Sequence, residues 1–187
     1  LTLIYGVMKI LNVAHGSFYS LGAYVAASVM GYWFANDYPP YWSFVALAIS
    51  AFVAGFIVGP LLERFMLRPQ YDKDEVVILL ITYGLFLILE DVIKMIWGVD
   101  PYFVSEPYEL LDMFEVGDMI YPRYYLLMVG LAVTVGLGLL FLLKKTKFGR
   151  LLVAVIHDRE ISAAMGVNVG LVFAITFGLG CSLAALA

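Results

Sequence analysis

Charged residues and cysteine are scarce in this sequence. Only 14% of its 187 residues are Asp, Glu, Lys or Arg, whereas an average soluble domain has about 25%. The single cysteine, Cys181, excludes an intrachain disulfide framework and a multi-thiolate metal cluster. The formal net charge of −4 argues against nucleic acid as a partner, because nucleic-acid-binding proteins carry a basic patch or stripe.

Hydrophobic residues, in contrast, make up 63% of the chain. A soluble domain of this size leaves much of its surface in water, so it cannot bury so many apolar side chains. Intrinsic disorder is excluded as well, because it requires low hydrophobicity. We therefore predict an integral membrane protein in contact with lipid. Both Leu1 and Ala187 lie inside apolar runs, so we expect a piece of a longer protein that lacks both termini.

Four apolar runs have the length of a membrane-spanning helix, namely residues 17–34, 41–62, 76–97 and 124–143. A spanning helix needs about 20 residues, because each adds about 1.5 Å across roughly 30 Å of hydrocarbon. Partial runs occupy residues 1–11 and 169–187. None alternates in polarity as a barrel strand must. We predict an all-α fold: one polytopic transmembrane helical bundle over residues 1–187, with about six hydrophobic segments, some of them discontinuous.

The distribution of Lys and Arg between the loops predicts the orientation of the chain, since cytoplasmic loops carry an excess of cations. Residues 144–168 contain five Lys or Arg and residues 63–75 contain three. Residues 98–123 contain six acidic residues and one cation. We therefore expect the first two loops to be cytoplasmic, and we expect residues 35–40 and 98–123 to be extracytoplasmic.

Motifs for catalysis and for nucleotide or metal binding are absent from the sequence. It has no glycine-rich phosphate loop ending in Gly-Lys-Ser/Thr. Its two histidines, His15 and His157, are far apart and form no HExxH pair. Residues 180–184 begin like a nucleophile elbow but lack its final glycine. We predict no enzymatic activity, no metal site and no cofactor.

Polar residues interrupt the apolar sequence near its beginning. Lys9 is followed by Asn12, His15, Gly16 and Ser17. Non-helical backbone at membrane depth is tolerated where it lines an aqueous cavity, and helix ends there offer free N–H and C=O groups to a substrate. The segment is a candidate substrate path. The other interpretation is a tight turn at the membrane surface.

A second polar cluster lies near the end of the apolar run 76–97. Glu90 and Lys94 are one helical turn apart, and Asp91 also reaches Lys94, so these charges can pair within a helix. Ionisable residues within a span suggest a function. The following Trp97 indicates an interfacial position, however, which favours a structural ion pair over a proton or substrate relay.

A third constellation lies in the basic loop 144–168. Asp158 is a suitable N-cap and Gly166 a suitable residue to follow the C-cap, which predicts a helix of about two turns between them. Ile161 and Met165 fall on one face of it. An amphipathic helix of this kind fits a groove on a partner. A helix resting on lipid and a plain connector are the alternatives.

Four stretches of the sequence follow one another in a recognisable order. The first is LTLIYGVMKILNVAHGS at residues 1–17, followed by LGAY at residues 21–24, and the second is ERF at residues 63–65, followed by LRP at residues 67–69. The third is Glu90-Asp91 with Lys94 and with Trp97-Gly98. The fourth begins with TKFGR at residues 146–150 and continues with DRE at 158–160, AA at 163–164 and MGVN at 165–168. Together they resemble the permeases of high-affinity branched-chain amino-acid ABC transporters. Two residues depart from the expected pattern, since Glu90 and His157 each stand where glutamine is expected.

The resemblance implies a permease with a fold similar to that of vitamin-B12-type importers, in the plasma (inner) membrane of a prokaryote. It also implies three kinds of partner: a homologous permease subunit, two cytoplasmic ATP-binding subunits and an extracytoplasmic substrate-binding protein. Residues 12–17 then become the translocation path. The coupling helix that contacts the ATPase would comprise Asp158, Arg159, Glu160, Ala163, Ala164 and Gly166.

The function implied is the import of leucine, isoleucine and valine, driven by the partner ATPases. Importers of urea or short amides share the same signatures and are the first alternative. A channel or a structural membrane subunit without an ATPase is the alternative from a different class.

Overall fold

The computed structural model describes residues 2–8, 10–71, 73–100, 110–111, 113–116 and 119–187. Lys9 and four acidic residues of the loop 98–123 lie outside the described residues; the four are Glu106, Glu109, Asp112 and Asp118. The α-helices of the described chain are α1 Thr2–Met8, α2 His15–Ala35, α3 Ser43–Leu62, α4 Glu75–Trp97, α5 Arg123–Lys145, α6 Lys147–His157, α7 Arg159–Ala164 and α8 Val169–Leu186.

Shorter elements connect the long helices. A 3₁₀ turn, Pro40–Trp42, leads into α3. A π-helical turn, Glu63–Leu67, and a second 3₁₀ turn, Arg68–Gln70, follow α3 directly. Two antiparallel strands, β1 Met113–Val116 and β2 Met119–Pro122, precede α5.

Four stretches of the described chain are long and apolar enough to cross a membrane: Pro40–Gln70, Glu75–Trp97, Arg123–Lys145 and Val169–Leu186. The predicted run 17–34 is also helical, because α2 has 21 residues and is therefore about 31 Å long. The partial run at 169–187 forms helix α8, Val169–Leu186. The predicted fold class, a polytopic helical membrane bundle, is confirmed.

Helix α8 forms the centre of the bundle, and α2 and α3 pack directly against it. Small residues permit the close approach: a Cβ atom at Gly22 would collide with the backbone of Ala185, and one at Gly55 would collide with the backbone of Ser182. Phe177 of α8 is fully buried and meets the ring of Phe18 edge to face at a centroid distance of 6.3 Å. Close packing of backbones is what holds helices together in lipid, where hydrophobicity does not drive their association.

Helix α5 differs from its neighbours, because none of its residues is buried within the described chain. A Cβ atom at Gly130, Gly136 or Gly138 would meet no atom within 4 Å among the described residues. These three glycines of α5 therefore face open space in the described part of the structure.

The β-hairpin was not predicted, because the sequence analysis assigned residues 98–123 to a loop. Its register pairs Met113 with Pro122 and Phe114 with Tyr121. Two short apolar runs separated by a Gly-Asp pair are a hairpin signal, and residues 113–122 carry that signal. The hairpin lies outside the four candidate spans.

Helix α6 is a second unpredicted element, within the basic loop 144–168. The Thr146 hydroxyl oxygen caps it by accepting a hydrogen bond from the Gly149 amide at 3.1 Å. Leu152 and Val155 of α6 are buried, and they are one helical turn apart on the same face. The loop is therefore a packed helical unit in which α6 leads into α7.

Candidate functional site

The polar segment near the beginning of the chain is a break between two helices. Helix α1 ends at Met8 and α2 begins at His15. Asn12 lies in the break and is only 2% exposed. Within the described chain, neither its Nδ2 nor its Oδ1 atom has a hydrogen-bond partner. A buried amide without partners is costly, so this side chain has unused capacity to bind a polar group.

Hydrogen bonds fix the break against α4. The Val13 amide donates to the Thr82 Oγ1 atom at 3.3 Å, and the Thr82 hydroxyl is 3.2 Å from the Leu11 carbonyl oxygen. The Ser17 hydroxyl donates to the Phe86 carbonyl at 3.3 Å. Thr82 and Phe86 lie about 10 and 16 Å along a helix about 35 Å long. The break therefore lies beside α4 between the two ends of that helix, and not beyond either end.

His15 and Gly16 begin α2 on the edge of this break. His15 is partly buried and Gly16 is exposed. A Cβ atom at Gly16 would meet nothing within 4 Å among the described residues. Of the four predicted path residues, the structure thus buries Asn12 and Ser17 and leaves Gly16 beside open space.

The second predicted cluster forms an ion pair on α4. The Lys94 Nζ and Glu90 Oε1 atoms are 2.6 Å apart, and both side chains are about half exposed. Asp91 is exposed and forms no salt bridge within the described chain. Trp97 at the end of α4 donates from its indole nitrogen to the Ser28 hydroxyl at 2.6 Å. The predicted pairing of Glu90 with Lys94 is confirmed.

The third cluster is the helix α7, and its predicted ends are confirmed. The Asp158 Oδ1 atom accepts a hydrogen bond from the Ile161 amide at 2.9 Å, as an N-cap does. Gly166 follows the helix with a φ of +85°, a left-handed conformation that glycine adopts without steric cost. Ile161 is 60% exposed and Met165 is 80% exposed. An apolar face therefore projects from a short helix with two well-defined ends.

The remaining coupling-helix candidates also lie at the surface of α7 or next to it. Glu160, Ala163, Ala164 and Gly166 are exposed, and so is Arg159. Ser162, which the sequence analysis did not single out, is buried and anchors the opposite face.

Sequence reasoning missed a contact between α7 and the connection from α3 to α4. The Arg159 guanidinium carbon lies 5.8 Å from the centroid of the Tyr71 ring and 5.5 Å from that of Phe173. The two rings meet edge to face at 5.4 Å. A cation within about 6 Å of an aromatic face is attracted to it, so these groups join α7, the connection and α8.

Tyr71 also holds a buried carboxylate. Its hydroxyl donates a hydrogen bond to the Oε1 atom of Glu63, which is fully buried. Burial, and then the hydrogen bond to Glu63, raise the pKa of the Tyr71 hydroxyl above its ordinary value. The hydroxyl therefore stays protonated and remains the donor. Two sequence signals marked Glu63: it ends a long apolar run, and it begins the ERF motif at residues 63–65.

The described residues contain no group of three or more His, Cys, Asp or Glu side chains that could hold a metal ion.

The fold defines the class of the protein, which is a multi-pass helical membrane protein. Its long apolar helices surround a central α8, and a helix break lies beside α4. Residues 1–187 match the family described as "Branched-chain amino acid transport system / permease component", and the chain belongs to this family. The resemblance inferred from the sequence motifs is thereby confirmed.

Individual relatives agree with the family. The chain is similar to the high-affinity branched-chain amino acid transport system permease protein BraD of Pseudomonas aeruginosa, at 25% identity over 193 residues, covering 100% of this chain and 62% of BraD. It is similar to the corresponding permease protein LivH of Salmonella typhimurium and of Escherichia coli K12, at 24% identity over 200 residues with the same coverage. The chain thus spans about three fifths of the length of these curated relatives. No solved structure matches it.

Proposed function

We propose that the chain is the permease subunit of an ABC importer that moves leucine, isoleucine and valine across the plasma membrane of a prokaryote. The names of BraD and LivH support this class of substrate. The observation that carries the proposal is α7, a capped helix with an exposed apolar face in the most basic loop of the chain. That loop is cytoplasmic in the proposed topology, since cations accumulate on that side.

The energy for transport comes from partner subunits. The sequence has no phosphate-binding loop, so ATP is hydrolysed by two cytoplasmic ATP-binding subunits and not by this chain. A homologous permease completes the membrane pathway, and an extracytoplasmic binding protein delivers the amino acid. The permease itself is not an enzyme and carries no cofactor.

Helix α7 is the contact for one ATPase. Ile161 and Met165 supply exposed apolar surface, while the Asp158 cap and Gly166 stop the helix at each end. A short rigid helix can transmit a displacement, because it moves as one body when its partner closes. Movement of α7 then alters the packing of α8, which follows it in sequence after only a few residues.

The helix break lines the translocation path. The buried Asn12 amide can accept from a substrate ammonium group through Oδ1 and donate to a carboxylate through Nδ2. Its lack of partners within the described chain supports this role. The open space beside Gly16 and the free backbone groups of the break provide further contacts, as in transporters with discontinuous helices.

Reconstitution tests the proposed function. The full-length permease, its homologous partner, the two ATPases and the binding protein are placed in vesicles with labelled leucine, isoleucine, valine, urea or acetamide. We expect ATP-dependent uptake of the three amino acids and competition among them. Uptake of urea or acetamide alone would identify an amide importer, and uptake without ATP would identify a channel; either result would overturn the proposal.

A further inference from the structure

The first residue of α7 is tied to a segment that lies far from it in sequence. Arg159 stacks on the rings of Tyr71 and Phe173, at 5.8 and 5.5 Å. Tyr71 belongs to the connection between α3 and α4, and Phe173 belongs to α8. One side chain of α7 therefore contacts two other parts of the bundle.

Tyr71 continues the link toward α3. Its hydroxyl donates to Glu63, the first residue of the π-helical turn at the end of α3. The other carboxylate oxygen of Glu63, Oε2, is buried and has no hydrogen-bond partner within the described chain. Burying a carboxylate is costly unless it is hydrogen-bonded or paired. The Tyr71 hydroxyl therefore helps to stabilise Glu63 at this position, together with the nearby positive charges of Arg68 and Arg64.

The π-helical turn is a point where α3 can adjust. The Arg68 amide donates to the Glu63 carbonyl, an i to i+5 bond that inserts one extra residue into the helical path. Such turns occur frequently at functional sites. Pro60, one turn earlier within α3, cannot donate a backbone hydrogen bond, which loosens the same end of the helix.

A second contact keeps the connection close to α8. The Arg68 guanidinium lies against Gly170 near the beginning of α8, where a Cβ atom would collide with it. Arg68 and Tyr71 therefore both hold the connection to the α7–α8 region.

We propose that Tyr71 is a positioning residue that transmits the displacement of α7, through Arg159 on one side and Glu63 on the other, to the end of α3. The proposal rests on the proposed function of α7 as the ATPase contact. When α7 moves, Arg159 carries the Tyr71 ring with it, and the hydroxyl shifts Glu63 and the π-helical turn. Helix α3 packs along α8, so its displacement reaches the centre of the bundle.

The experiment measures coupling in the complete reconstituted complex, as leucine imported per ATP hydrolysed. Tyr71→Phe removes the bond to Glu63 but keeps the ring beneath Arg159. We expect this ratio to fall by roughly fivefold or more, the lower end of typical coupling between sites, while the ATPases still copurify. Tyr83→Phe is the matched control, because Tyr83 lies on the exposed face of α4, away from α7; its ratio should not change.

Glu63 supplies the second test of the link. Glu63→Gln keeps an acceptor for the Tyr71 hydroxyl and should retain most of the coupling, whereas Glu63→Leu should lose as much as Tyr71→Phe. Tyr71→Phe and Glu63→Leu break the same link. The variant that carries both changes should therefore lose no more of the leucine-to-ATP ratio than either single variant does. Additive losses would overturn the proposal.

The outcomes separate this inference from the proposed function. If Tyr71→Phe keeps the wild-type ratio while the wild-type complex couples normally, the positioning role is wrong and the function stands. If Tyr71→Phe fails to assemble with the ATPases, the contact is structural and the positioning role is wrong. If the wild-type complex shows no ATP-dependent leucine uptake, the proposed function itself fails.

Discussion

The Ser17 hydroxyl of α2 donates a hydrogen bond to the Phe86 carbonyl of α4 at 3.3 Å, and these residues are 69 positions apart. Ser28 and Trp97 repeat the same separation near the other end of α4, at 2.6 Å. The Val13 amide and Thr82 hydroxyl are also 69 positions apart. A constant separation means that α2 and the break before it run parallel to α4 in one register. The break therefore has a defined depth beside α4.

Thr82 is the residue on α4 that holds the break. It is fully buried, and its Oγ1 atom accepts from the Val13 amide at 3.3 Å. The same atom lies 3.2 Å from the Leu11 carbonyl oxygen and 2.9 Å from the Leu79 carbonyl oxygen of its own helix. We expect Thr82→Val to lower the free energy of unfolding by about 0.5–1.5 kcal/mol, because the partly buried Val13 amide loses the acceptor that Thr82 provides. Thermal unfolding in detergent measures the effect. Thr134→Val is the control, since Thr134 is exposed and bonds only within its own helix; equal losses for both variants would contradict this role of Thr82.

Asn12 should be needed for transport and not for stability. Asn12→Leu removes a buried amide that has no partner in the described chain, so we expect unfolding stability to stay the same or to rise by about 1 kcal/mol. Leucine uptake by the complete complex should nevertheless fall, because the path loses its donor and acceptor. Stability and uptake are measured on the same preparation. A variant with unchanged uptake would remove Asn12 from the path.

Gly55 should tolerate no side chain. A Cβ atom there would collide with the backbone of Cys181 and Ser182 on α8, so we expect Gly55→Ala to cost about 1–3 kcal/mol of unfolding stability. Gly136→Ala is the matched control on α5, where a Cβ atom meets open space. That change should be neutral or slightly stabilising, because alanine favours helix more than glycine does. Thermal unfolding of the two variants side by side tests the packing of α3 on α8.

Ile161 should matter for partner binding and not for folding. It is 60% exposed on α7, so Ile161→Glu should change the free energy of unfolding by no more than about 0.5 kcal/mol. We expect it to weaken ATPase binding by about tenfold or more, as loss of an apolar contact at an interface centre does. Copurification at graded ATPase concentrations measures the affinity. Val153→Glu, which changes an exposed position on α6, is the control and should bind normally.

Features that depend on neighbouring residues were correctly predicted from the sequence. The Asp158 cap, the left-handed Gly166 and the ion pair of Glu90 with Lys94 all arise within one helical turn. The apolar runs that became α3, α4 and α5 were predicted because a spanning helix needs only length and hydrophobicity. The hairpin before α5 was missed although its turn signal was present, because each of its strands is only four residues long and gives a weak periodic pattern.

The class of protein, the main spans and the ends of α7 could be predicted from the amino-acid sequence, because hydrophobic length and helix capping act over a few neighbouring residues. The position of the break beside Thr82 and the contact of Arg159 with Tyr71 depend instead on how the helices pack in three dimensions. Neither spacing along the chain nor composition encodes which residues meet across a bundle. That pairing follows from how small residues such as Gly55 let the helices approach and from the register in which they then pack.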